Sequence, residues 1–272
     1  MHMNATKLSP TAMTDDLVVK HTGRVARITI NKPDEQNRLT PDALAKLELV
    51  AAELSRDEEI QAVIITGGGA RCFSTGILNP VLRGAFSKDD ILSLVRLANR
   101  AFNALEAVPQ IVIAALNGPA RAGAAELALA CDIRLVADHA TMAFPEAAWG
   151  GFPGAGGPYR LASIVGRGRA LELICSGREV DAKEMERIGL VQGVYSPDGL
   201  TETTNELADR IAAAGPLAIR GAKRIMRSRL EPGLEAAREL SDALRHELEW
   251  SHDVDEGIAA HREGRKPCFT GR

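Results

Sequence analysis

Residues 111–137 read IVIAALNGPARAGAAELALACDIRLVA, and this stretch decides the fold. Ile111–Leu116 is an apolar, partly β-branched run of the length expected for a strand buried on both faces. It stops at Asn117-Gly118-Pro119, a turn signature. Gly123 then leads into a helix of small residues, AAELALA, and Ile133–Val136 returns to strand. Strand, turn, helix and strand in so short a span imply a layered α/β body.

The same alternation extends in both directions. Arg24–Asn31 alternates well enough for a strand and pairs with Leu17–His21 across Thr22-Gly23 as a hairpin. Thr40 caps a helix opened by Pro41, with Leu44, Leu47, Ala51 and Leu54 at helical spacing. Ala62–Thr66 reads as a buried strand ending at Gly67-Gly68-Gly69. A long helix is predicted from about Asp89 to Pro109, and a short strand over Thr141–Phe144. The glycine-rich loop Gly150–Gly157 precedes helical sequence over 158–175. Beyond Asp198 the pattern is helical, over about 199–214, 216–229, 233–250 and 253–264, with breaks at Gly215-Pro216 and Pro232-Gly233. The change of character places a boundary near residue 205. Residues 1–14 form a tag-like or disordered N-terminus, 15–205 the α/β core, and 206–272 a helical region.

Composition excludes several function classes. The chain has 272 residues, 45% of them apolar, with 33 basic against 36 acidic side chains and a formal charge of −3. That balance argues against a dedicated nucleic-acid binder. Six Phe, two Trp and two Tyr are too few for a platform that stacks bases. Ile111–Leu116, the longest apolar run, falls far short of a membrane span, so no membrane association is expected. Met1–Thr14 lacks the pattern of a secretory signal. Cys72, Cys131, Cys175 and Cys268 lie far apart and read as buried free thiols, so the expected compartment is the cytoplasm.

Several motifs fail on inspection. Gly67-Gly68-Gly69 would need glycine at the position of Cys72 to make a dinucleotide fingerprint. No P-loop and no G-x-S-x-G nucleophile elbow occurs. His246-Glu247 opens like a zinc motif, but the next histidine, His252, does not share its helix face. Lys223, Arg224, Arg227 and Arg229 form a compact basic cluster, either a solvated helix face or a contact for an anionic group such as the phosphate of a nucleotide tail.

Two carboxylates remain as acid–base candidates. Glu126 interrupts an otherwise small, apolar stretch (GAAELALAC), a poor place for a charge unless it faces a cavity or a partner. Glu146 follows a short apolar strand and precedes the glycine-rich loop, where a carboxylate can point into a cleft. Taken with their surroundings, these segments resemble the crotonase (enoyl-CoA hydratase/isomerase) superfamily from about residue 15 to residue 270. The resemblance is carried by motifs in order. They are Asn31-Lys32-Pro33 with Asn37-Arg38-Leu39-Thr40; Ile64-Ile65-Thr66-Gly67 through Gly76; and Asn117-Gly118 through Glu126 with Cys131-Asp132. Phe144-Pro145-Glu146 with Pro153-Gly154-Ala155-Gly156-Gly157 follows, then Asp255-Glu256-Gly257-Ile258 with Arg265-Lys266-Pro267.

The resemblance implies a spiral of β-β-α units with a C-terminal helical oligomerisation region, assembled as a homotrimer or hexamer. It implies an acyl-CoA thioester substrate, with coenzyme A as part of that substrate and no further cofactor and no metal. The backbone N–H groups of Ile77 and Gly123 would stabilise the negative charge that builds on the thioester oxygen. Glu126 and Glu146 would grip one water, one as base and the other as acid. Arg38, Thr75, Gly76, Ala122, Trp149 and Gly154 would contact the thioester. Hydration of a 2-enoyl-CoA to a 3-hydroxyacyl-CoA is the leading expectation. A double-bond isomerase or another acyl-CoA enzyme using one glutamate is the alternative within the family. A non-catalytic member that binds RNA or a partner through the Lys223–Arg229 helix is the alternative outside enzymology.

The chain departs from the family pattern at the pocket wall. Leu78 stands where an aspartate is usual, Ile77 where a small residue is frequent, and Ala122-Gly123-Ala124-Ala125 where glycines often run. Bulkier walls here are expected to narrow or reshape the pocket for a branched or unusual acyl group.

Overall fold

The computed structural model describes residues 16–269, together with the backbone but not the side chains of 228–237, 240 and 241. The N-terminal segment 1–14 lies outside the described residues. The main sheet holds β1 (Leu17–Thr22), β2 (Val25–Ile30), β3 (Ala62–Gly67), β4 (Ile111–Leu116), β6 (Ile133–Ala137) and β9 (Gly193–Tyr195), in the order β1-β2-β3-β4-β6-β9. β1 and β2 form the antiparallel hairpin read from the sequence, in register from Leu17 opposite Ile30 to Thr22 opposite Val25. From β2 onward every neighbour is parallel. A smaller sheet holds β5 (Ala120–Arg121), β7 (Thr141–Ala143) and β8 (Val180–Asp181), and a single bridge from Ser74 to Ala120 extends it.

The chain therefore repeats one step: a strand in the main sheet, a short extended piece in the small sheet, then a helix. β4, β5 and α4 (Gly123–Leu129) make one such turn, and β6 and β7 begin the next. Ile28, Ile30, Ile64, Ile65, Val112, Ile113 and Val136 are buried almost completely between the layers. Each such side chain contributes roughly 1.5–3 kcal/mol through its removal from water.

Helices cover the sheets. α1 (Pro41–Leu54) starts at Thr40, whose hydroxyl accepts the Ala43 N–H at 3.0 Å, as the cap read from the sequence requires. The four-residue α2 (Pro80–Arg83) precedes α3 (Lys88–Ala107), which is closed by a capping box between Ser87 and Asp90. The helical sequence over 158–175 divides at Gly166 into α5 (Gly157–Val165) and α6 (Arg167–Ser176), and α7 (Ala182–Arg187) follows.

The C-terminal third differs from the sequence reading in two respects. α8 (Pro197–Ala213) buries Leu200, Thr204, Ala208 and Ala212 against the main sheet. The change of sequence character near residue 205 thus falls within a core helix. α9 (Pro216–Glu249) runs without interruption through Pro232-Gly233, where the sequence predicts a break. A proline removes one N–H from the ladder and disfavours continuation, but its neighbours in a long helix hold the remaining bonds. α10 (His252–Glu263) ends the described helices.

The basic cluster at the start of α9 is also not a uniform solvated face. Lys223 turns inward, ion-paired to Asp132 at 2.7 Å and donating to the Gln110 carbonyl at 2.8 Å, while Arg224 is exposed. Arg229 lies outside the described side chains. The four cysteines are free thiols, but only Cys72 and Cys131 are buried; Cys175 and Cys268 are exposed. No described helix is long and apolar enough to cross a membrane.

Candidate active site

The exits of β2, β3 and β4 meet at one rim, and two asparagines tie them together. The Asn37 amide donates to the Gly68 and Cys72 carbonyls at 2.9 and 2.8 Å, and its carbonyl oxygen accepts the Lys32 N–H at 3.1 Å. Asn117 accepts the Gly67 N–H at 3.0 Å and donates to the Gly67 and Gly69 carbonyls. Buried turns satisfied by side chains in this way are held in one conformation. They fix the segment that ends at Gly76 and Ile77 against the segment that ends at Ala122 and Gly123.

The contact between those segments is close. Gly76 has φ +90°, and a Cβ there would stand 2.6 Å from the Arg121 carbonyl oxygen and 3.0 Å from the Gly123 nitrogen. Only glycine meets both conditions. Ala122 has φ +50° and ψ −127°, a conformation rare for any residue with a side chain. It is held there because its N–H donates to the Ala143 carbonyl at 3.0 Å and its carbonyl accepts the Glu126 N–H at 3.1 Å. Among the described residues, the N–H groups of Ile77 and Gly123 donate no hydrogen bond within the protein. Both residues line a cleft.

That cleft and the solvent at its mouth together occupy about 670 Å³. Its lining includes Ile77, Ala122, Gly123, Glu126, Glu146, Trp149 and Gly154 of the residues read from the sequence. Trp149 also stands edge-on to His261 of α10, with ring centres 6.3 Å apart. Arg38, Thr75 and Gly76 lie outside the lining. Arg38 is paired with Glu35 at 2.9 Å, and the Thr75 N–H donates to the Gln36 carbonyl in a neighbouring hollow. Gly76 supports the site from behind, through its carbonyl on the Leu39 N–H and its approach to Gly123.

The two carboxyl groups face the same space in different surroundings. Glu126 is 2% exposed, on a helix whose every residue is buried. Its Oε1 accepts the N–H groups of Ala155 and Gly157 at 2.7 and 2.8 Å. Burial pushes its carboxyl up to about 7 in spite of those two donors. Glu146 sits on a short 3-10 turn, Pro145–Trp149, with Oε2 buried and, among the described residues, without a hydrogen-bond partner. Burial first, and then the charge of Glu126, hold its carboxyl well above the usual range. Two such acids cannot both ionise easily, so near neutral pH the pair keeps at least one proton.

A longer chain of contacts steadies Glu126. Arg160 is buried on α5, ion-paired to Glu106 at 2.9 Å, and donates to the Ala155 carbonyl at 3.0 Å. It therefore anchors the loop that presents the Ala155 and Gly157 N–H groups.

Sequence reading missed the far wall. Arg83, Ile91, Val95, Arg245, Val254 and Ile258 line the cleft from α2, α3, α9 and α10. The one signal available was the i, i+4 pair of Arg245 and Glu249, which in sequence looks like any solvated helix pair.

Comparison with known proteins places this geometry. The family model described as Enoyl-CoA hydratase/isomerase matches residues 20–272. The chain is 32% identical over 259 residues to a short-chain-enoyl-CoA hydratase from Clostridium acetobutylicum, covering 93% of this chain and 96% of that protein. It is 35% identical over 260 residues to the 2,3-dehydroadipyl-CoA hydratase of Escherichia coli, covering 94% and 99%. The crystal structure of an enoyl-CoA hydratase from Bacillus anthracis superposes with a TM-score of 0.77 at 31% identity, over 95% of this chain and 100% of that one. The two-sheet spiral with its C-terminal helices is the crotonase fold. By the span of the family match and the extent of its relatives, the chain belongs to the enoyl-CoA hydratase/isomerase family.

Proposed function

We propose that the protein is an enzyme that adds water across the double bond of a 2-enoyl-CoA thioester, giving the 3-hydroxyacyl-CoA. The observation that carries this reading is a pair of carboxyls, buried Glu126 and half-buried Glu146, lining one cleft with the N–H groups of Ile77 and Gly123, which among the described residues have no partner. Polarising the thioester carbonyl makes C3 electrophilic and places negative charge on the oxygen as water attacks. Ile77 N–H and Gly123 N–H donate to that oxygen, and each such donor lowers a barrier by about 3 kcal/mol in a preorganised site.

The environments divide the proton work. Glu126, steadied by two backbone donors, is the more easily ionised and takes the proton from the attacking water. Glu146, with its own backbone N–H as donor and a negative neighbour beside it, keeps its proton and delivers it to C2. The hydroxyl oxygen joins C3, a proton joins C2, and the pair again holds one proton between its members. No electron is transferred, so the step calls for no redox cofactor, and the two N–H donors do at the thioester oxygen what a Lewis-acid metal would do. Coenzyme A enters with the substrate. We assign the helices beyond the core to contacts between copies of the chain, as a homotrimer or hexamer, and place the enzyme in the cytoplasm.

The test is hydration of crotonyl-CoA in ¹⁸O-labelled water, followed by loss of the conjugated absorbance. Label at C3 of the product supports the reading. Migration of the double bond without label, dependent on Glu146 and indifferent to Glu126, would replace it with the isomerase alternative.

A further inference from the structure

One wall of the cleft holds two guanidinium groups and a single carboxylate. Glu249 is completely buried near the end of α9. It is ion-paired to Arg83 of α2 and, at 2.8 Å, to Nη2 of Arg245 one helical turn away. Arg83 and Arg245 both line the cleft. The Arg245 side chain is only 9% exposed, and among the described residues its Nη1 is buried without a hydrogen-bond acceptor. Glu126 and Glu146 face the same cleft, but neither hydrogen-bonds to that nitrogen; Oε1 of Glu126 is engaged by Ala155 and Gly157.

Arg83, Arg245 and Glu249 together leave one positive charge on this wall, which the glutamates across the cleft attract without supplying an acceptor to Nη1; Leu78, Val95 and Val254 beside it offer none either. An N–H of a charged group buried without an acceptor is strongly unfavourable and is retained where a ligand supplies the missing acceptor. We propose that Arg245, oriented by Glu249 and reinforced by Arg83, receives a carboxylate at the distal end of the acyl chain. The substrate class is then a 2-enoyl-CoA thioester whose acyl group ends in a carboxylate, a deeper statement of the hydratase reading and dependent on it. A planar guanidinium fixed by a buried acid suits such a group, because it offers parallel donors to two oxygens. A methyl terminus in the same place would leave Nη1 unsatisfied, and sites built around a hydrogen bond reject analogues that lack it.

The experiment compares 2-hexenoyl-CoA with its carboxylate-ended counterpart of equal chain length, 2,3-dehydroadipyl-CoA. The wild type is expected to favour the acid by at least about 30-fold in kcat/KM, the low end for a buried charge pair deprived of one partner. Arg245→Gln is expected to collapse that ratio, chiefly through KM for the acid, and Arg245→Lys to restore part of it. A wild-type ratio at or below one overturns the proposal without any variant. So does an Arg245→Gln protein in which both substrates fall in parallel, which would make Arg245 a support for the glutamates or the fold. Calorimetric binding of the saturated pair, hexanoyl-CoA and adipyl-CoA, reads the same preference without chemistry. Failure to hydrate either enoyl thioester, with adipyl-CoA still preferred, would count against the hydratase reading and not against the carboxylate receptor.

Discussion

The Ile77 side chain lies over the α-carbon of Gly123, so that a methyl group on Gly123 would stand 2.7 Å from both Cγ1 and Cδ1 of Ile77. The two residues whose N–H groups we propose as the oxyanion donors thus also pack on one another. Gly123→Ala is expected to push the two segments apart and lower kcat by on the order of 10²-fold, comparable with losing one donor. Ile77→Ala in the same chain removes the obstruction and should recover part of the loss. Steady-state rates of the two variants decide this; a Gly123→Ala enzyme with wild-type turnover would show that the donors are elsewhere.

The glutamates are expected to act as one unit. Glu126→Gln and Glu146→Gln should each lower hydration by roughly 10²–10⁴ while thioester binding stays within a few-fold. The double variant should be little worse than the poorer single one, because both groups act on the same water. Multiplying losses in the double variant would separate their roles.

Activity should follow a bell with pH. Glu126 must be ionised to accept a proton and titrates at about 7, so kcat/KM is expected to rise through that region. It should fall again at higher pH, as Glu146 releases the proton it donates. Both limbs belong to the coupled pair. Stability runs opposite to the rising limb. The unfolded Glu126 loses its proton near 4.5 and the folded one near 7, so between those values the native state holds the extra proton. Stability therefore decreases as pH rises through that window and levels off above it. Urea titrations across the window should show the slope in the wild type and a shallower one in Glu126→Gln.

Arg160 is expected to control the rising limb from a distance. In Arg160→Gln the Ala155 carbonyl loses its donor, and Glu126 loses both a nearby positive charge and firm hold of its two N–H groups. Each change disfavours the carboxylate. The limb should move to higher pH while activity at alkaline pH is largely kept. Loss of activity at every pH alike would make Arg160 a purely structural residue.

Ala122 holds its backbone strain against its neighbours. Glycine adopts φ +50° and ψ −127° without penalty, which relieves about 1–3 kcal/mol, and a more flexible unfolded chain takes back part of that. Ala122→Gly is expected to stabilise the protein by about 1 kcal/mol, read as a higher urea midpoint at fixed protein concentration.

Much of this architecture was legible in local sequence. The buried strands and their Gly, Asn and Pro exits announce themselves by composition, and Glu126 stands out because every neighbour on its helix is small or apolar. Residues whose meaning depends on where a helix docks were not legible. Lys223 reads as a solvated charge, yet its long stem carries the ammonium inward to Asp132. Arg245 looks like an ordinary surface arginine until α9 is laid across the cleft beside Arg83. Pro232-Gly233 reads as a break because local propensity is all that sequence offers there, and the helix runs through it nonetheless.

The chemistry and part of its enclosure come from separate stretches of the chain. The groups assigned to bond making all lie between Ile77 and Gly157, whereas Arg245, Val254 and Ile258 arrive on α9 and α10. During synthesis the sheet layers can assemble while the final helices are still within the ribosome, and domains fold in that order. A nascent chain at that stage carries its acids and donors exposed to bulk water, in a half-built cleft. Proteolytic nicking at the Trp250-Ser251 junction would recreate part of that immature condition in a finished molecule, freeing α10 with Val254 and Ile258 while α9 keeps Arg245 in place.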